Sequence, residues 1–222
     1  MLENDAVSHA SLKTPKAAAI AGIVFSLLMF AIFWLLRRSI PADPQEPGAW
    51  LASDKGMIEL ALNLVPVAGI AFLWFIGVLR DRLGQHEDRF FSTILFGSAL
   101  LFLATLFAAA GTIGAITLMA SAAEANDLTK SDTFRFARVT AFIVANVYAS
   151  KMSAVFMFST STIVIHTKIA PRWIAYLGFV LALIVLIGGH HIGWSLAVLP
   201  AWVLVISVHI LMDNLASDGR AT

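Results

Sequence analysis

Of 222 residues, 59% are hydrophobic and 13% charged, and the formal net charge is +1. A soluble domain carries roughly a quarter charged residues, so this balance excludes a water-soluble core and offers no basic face for nucleic acid. The absence of cysteine excludes disulfides, thiolate metal centres, iron–sulfur clusters and cysteine nucleophiles.

Residues 1–16 are polar and mixed in charge, which reads as a tail. An uncharged run from Ala17 to Leu36 follows Lys13 and Lys16, long enough for a crossing that needs about 20 apolar residues. Arg37 and Arg38 come next instead of a small-residue cleavage motif, so the run reads as a retained first span and not a cleaved signal. Pro41, Pro44 and Pro47 predict a stiff extended loop, and Trp50 and Leu51 predict contact with the membrane interface.

The second span is expected at about 57–78, closed by Arg80-Asp81-Arg82. The connector Arg80 to Arg89 alternates in charge sign and reads as a solvated turn, with Gly84 as helix stop. Span three covers about 91–119. Within it, Gly111 and Gly114 beside Ala108-Ala109-Ala110 predict close approach of another helix. After the polar stretch Glu124 to Asp132, Ser131 or Asp132 is expected to cap span four, placed at about 139–165.

Pro171 opens span five (171–188), the stretch Gly188 to Gly193 with His190 and His191 makes a turn, and span six runs 194–212 before a polar tail, 213–222. The expected fold is therefore an all-α membrane protein, a bundle of six transmembrane helices across residues 17–212. No internal repeat supports an inverted-repeat transporter.

Orientation follows from Lys and Arg in the short loops. One side would hold Lys13, Lys16, Arg80, Arg82, Arg89, Lys168, Arg172 and Arg220; the other would hold Arg37, Arg38, Lys55, Lys130, Arg135 and Arg138. The richer first side predicts both termini cytoplasmic, with Arg37 and Arg38 counting against it.

Span four is the most polar. At about 100° per residue, Tyr148, Lys151, Ser159, Thr162 and His166 fall within about 80° of one another and form a stripe. A charged Lys151 inside hydrocarbon costs at least about 2.5–3.5 kcal/mol, so it must pair with an acid, lose its proton or snorkel to the interface. Span two offers Glu59 and Asn63 on a face continued by Pro66, Ile70 and Trp74. These stripes place spans 2 and 4 at the centre and predict a buried polar cluster of Lys151, Tyr148, Glu59, Asn63, Ser159 and Thr162. The cluster would either hold helices together or line an ion path.

His166 and His209 share a depth and are weak candidates for a haem or metal pair. No P-loop, zinc-protease helix, nucleophile elbow or span-six lysine for retinal occurs, so neither a catalytic residue nor a cofactor is assigned. In architecture the chain resembles small six-helix membrane proteins of bacteria. The leading expectation is a non-enzymatic accessory or scaffold protein of the cytoplasmic membrane, whose partners are the bilayer and another membrane protein or a second copy. A small-solute or ion transporter built around Lys151 and a haem-binding redox protein are the alternatives.

Overall fold

The computed structural model describes residues 14–46, 48, 50–83, 89–122, 129–167, 170–189 and 193–218, and among these it is all helical, with no strand. The elements are α1 (Thr14–Ser39), the one-turn α2 (Trp50–Ser53), α3 (Lys55–Leu83), α4 (Arg89–Ala122) and α5 (Asp132–Ile143). A π-helical segment (Val144–Ala149) follows α5, then α6 (Ser150–Thr167), α7 (Arg172–Gly188) and α8 (Ser195–Asp218). Gly84, His190, His191 and residues 1–13 and 219–222 lie outside the described residues, while α1 starts and α8 ends inside the stretches expected as polar tails.

Five stretches are long and apolar enough to cross a membrane: Ala19–Ser39, Lys55–Gly77, Ser92–Ala120, Asp132–Thr167 and Ser195–Ala216. The helix expected as span five, α7, is apolar but shorter. Span four is longer than its apolar run suggested, because α5, the π segment and α6 continue one another from Asp132 to Thr167. Ser131 caps it, its hydroxyl accepting from Phe134 N at 3.2 Å. The exterior is also apolar, with Trp34, Ile70, Trp74, Leu118 and Ile187 all exposed. A soluble monomer does not carry such a surface.

Packing follows small residues more than polar ones. On α3, Ile58, Ala61, Val65, Ala68, Phe72 and Leu79 are buried at helical spacing, and this face packs on α1. A Cβ on Gly22 of α1 would collide with Ser207 of α8 and with Phe75, and one on Gly178 of α7 would collide with Ser161 of α6 and with Trp202. These two glycines set close helix approaches. The expected pair does not: nothing lies within 4 Å of a Cβ on Gly111, and Gly114 would make only an ordinary contact with Leu62 at 3.6 Å.

At the centre the Phe72 ring meets Phe25 of α1 at 4.5 Å, Phe102 of α4 at 5.5 Å and Phe156 of α6 at 5.1 Å. Spans 2 and 4 thus touch through aromatic rings, and α1 and α4 share that centre with them. Trp202 of α8 donates from Nε1 to the Ile174 carbonyl of α7 at 3.2 Å.

Truncating the shared ring should be among the costliest single changes. Phe72→Ala is expected to lower stability by about 3–5 kcal/mol, read as a fall in the thermal unfolding midpoint of the detergent-solubilised protein.

Candidate functional site

The expected polar cluster is not buried. Lys151, Glu59 and Asn63 are exposed, and Tyr148 is 55% exposed. The whole Glu59, Asn63, Pro66, Ile70 and Trp74 face of α3 exists as predicted but points away from the bundle, because the opposite, small and apolar face is the one that packs. Glu59 meets Lys55 one turn back on its own helix at 3.7 Å, not Lys151.

The span-four stripe is also split. Ser159 is buried and Thr162 half-buried, and each hydroxyl donates to its own helix, to the Val155 and Phe158 carbonyls at 3.0 Å. A threonine or serine satisfied this way needs no neighbour. A polar side-chain pair between helices forms instead where none was anticipated: Ser150 Oγ and Ser195 Oγ stand 3.0 Å apart, both fully buried. His166 is exposed and His209 half-buried, and no group of three or more His, Asp or Glu comes together among the described residues.

The concave site lies at the other end of α6's continuation, where α1 ends and α5 begins. A partly open cleft of about 330 Å³ is walled by Met29, Ile32, Phe33 and Leu36 of α1, Leu62 and Val65 of α3, and Leu106, Ala109, Ala110 and Ile113 of α4. Ala141, Phe142, Ala145 and Asn146 complete it from α5 and the π segment. Its volume falls in the range of ligand pockets. Ala109 and Ala110 of α4, expected to bring a helix close, instead line this space together with Ala141 and Ala145.

The π segment belongs to this wall. Asn146 Nδ2 donates to the Phe142 carbonyl at 3.0 Å at the start of the widened turn. Such single widened turns recur at functional sites, because they re-aim side chains that a regular helix would place elsewhere.

Two arginines close one end. Arg138 is 4% exposed; its Nη2 donates to the carbonyls of Pro41 and Asp43 at 3.3 and 3.2 Å, and its guanidinium stands 4.8 Å over Trp50. Glu46 and Asp43 act on that charge from the same loop, but neither comes within ion-pair distance. The described part of the proline loop, 40–46, is therefore folded onto the bundle, not extended, and Pro47 lies outside the described residues. Trp50, expected at the interface, is 8% exposed and packs against Phe134 at 6.3 Å.

Arg37 is exposed and lies beside Trp194 and Phe33, at 5.6 and 6.0 Å from the ring centroids. A Cβ on Gly193 would sit 2.7 Å from Arg37 Nη2, so that glycine leaves room for the guanidinium.

No protein-family model, curated protein or solved structure matches this chain.

The outward position of Lys151 gives a direct test. Lys151→Met should leave folded yield unchanged and stability within about 0.5 kcal/mol, as for other surface positions; loss of folded protein would place Lys151 in an internal pair after all.

Proposed function

We propose that this chain is a multi-pass protein of the bacterial cytoplasmic membrane that binds a molecule with an apolar chain in the cleft between α1, α3, α4 and α5. It acts by holding that molecule, as an accessory protein without a catalytic step. The observation that carries this reading is the cleft itself: about 330 Å³, lined mostly by aliphatic side chains, phenylalanines and alanines, and closed at one end by charge. Chemistry on a bound substrate would call for a nucleophile or an acid–base pair, and the lining supplies none.

In this reading the chain crosses the membrane six times, with α7 as the shortest crossing and both termini on the cytoplasmic side. The charged end of the cleft then lies at the opposite, outer side, where α1 ends. Met29 and Arg37 are separated by about 12 Å along α1 at 1.5 Å per residue, so the cleft runs from the interface well into the hydrocarbon layer. Such a site suits a lipid-like occupant that enters sideways from the bilayer. A transport path through Lys151 has no support from this geometry, because that side chain is on the outside of the bundle.

Filling the cleft from its wall tests the reading. Ala109 is 7% exposed and lines the space, so Ala109→Phe should occupy it with little change elsewhere. Native mass spectrometry of the gently solubilised protein is expected to show a retained amphiphile on the unsubstituted chain and loss of most of it from Ala109→Phe. An unsubstituted chain that retains nothing, or equal retention by the variant, would contradict the proposal.

A further inference from the structure

Resting on the cleft reading above, we infer that the occupant carries an anionic oxyanion headgroup, a carboxylate or a phosphate, bound by Arg138 and Arg37. Two guanidiniums lie at one end of an otherwise apolar space, and neither has an acidic partner within 4.0 Å among the described residues. Arginine presents its N–H groups as a planar fork that matches carboxylate and phosphate oxygens, which makes it the residue suited to this recognition.

An independent observation comes from unsatisfied donors. Arg138 is more than nine-tenths buried, yet its Nε has no hydrogen-bond partner. Trp50 Nε1, on the ring beneath that guanidinium, is buried and unpartnered as well. A buried donor left unmet loses the hydrogen bond that water would give it and is costly to the fold. Arg138 lines the charged end of the cleft and keeps a donor without an acceptor, and an oxyanion bound there supplies an acceptor and negative charge together.

The competing charges are nearby and insufficient. Asp43 Oδ1 already accepts from Gln45 N at 2.8 Å, and Arg138 takes backbone carbonyls from that loop in place of its carboxylates. Arg37 rests against the faces of Phe33 and Trp194, contacts that leave the edge of its fork available.

The test is equilibrium binding to the full chain in non-ionic detergent. The probes are a long-chain fatty acid, its uncharged methyl ester, phosphatidic acid and inorganic phosphate. The acid or the phosphatidic acid is expected to bind about tenfold or more tightly than the ester, which corresponds to one charge-assisted contact. Arg37→Gln should remove most of that difference, and because Arg37 is exposed the variant should fold. Arg138→Lys, which keeps the charge but loses the fork, should weaken the anionic probes more than the ester.

Equal binding of ester and acid, still abolished by Ala109→Phe, would overturn the headgroup inference and leave the cleft reading standing. Failure of every chain-bearing probe to bind, or binding indifferent to Ala109→Phe, would overturn the cleft reading itself. Inorganic phosphate binding as tightly as phosphatidic acid would make the site one for a free anion and overturn the amphiphile. A preference for the fatty acid or for phosphatidic acid assigns the headgroup.

Discussion

The end of the bundle where α1 stops and α5 starts is organised around one buried charge. Arg138 gathers the carbonyls of Pro41 and Asp43 and the ring of Trp50 onto α5, and Phe134 packs against that ring from the same helix. Burying a guanidinium is costly unless its hydrogen bonds are met and its charge is countered. Arg138 meets that demand only in part: its Nε has no partner, and the same residue lines the cleft. The fold of the proline loop, the burial of Trp50 and the charged end of the cleft all depend on this residue.

The rest of the bundle answers a different constraint. Lipid gives helices no hydrophobic reason to associate, so close contact comes from shape. Gly22 receives Ser207 and Gly178 receives Ser161, and in both places the hydroxyl is buried without a partner. Glycine against a serine closes a seam, whereas the alanines of α4 and α5 line a cleft.

This explains which parts of the structure were legible in the sequence. Runs of apolar residues, Ser131 as a cap and Pro171 ahead of a helix marked the helices well, since each signal is local. The direction in which a helix turns its faces was not legible from polarity. In water the polar stripe of an amphipathic helix faces out and an apolar one in, whereas in lipid both faces are apolar and the rule loses its sign. The stripe through Glu59, Asn63, Pro66, Ile70 and Trp74 was correctly placed on one side of α3 and wrongly turned inward. The better guide was residue size, because Ala61, Ala68, Ser150, Ser153 and Ala154 are all buried. On span four the stripe divides within regular helix, where Lys151 and His166 are exposed, Thr162 is half-buried and Ser159 is buried.

Arg37 and Arg138 were visible from the start only as entries against the expected orientation, since they add positive charge to the side predicted to be outside. Both line the same cleft. The charge bias that sets orientation counts residues over whole loops. In the proposed reading, two arginines drawn into the cleft weaken that bias without reversing it, and the narrow margin in the loop charges and the charged end of the cleft have one cause.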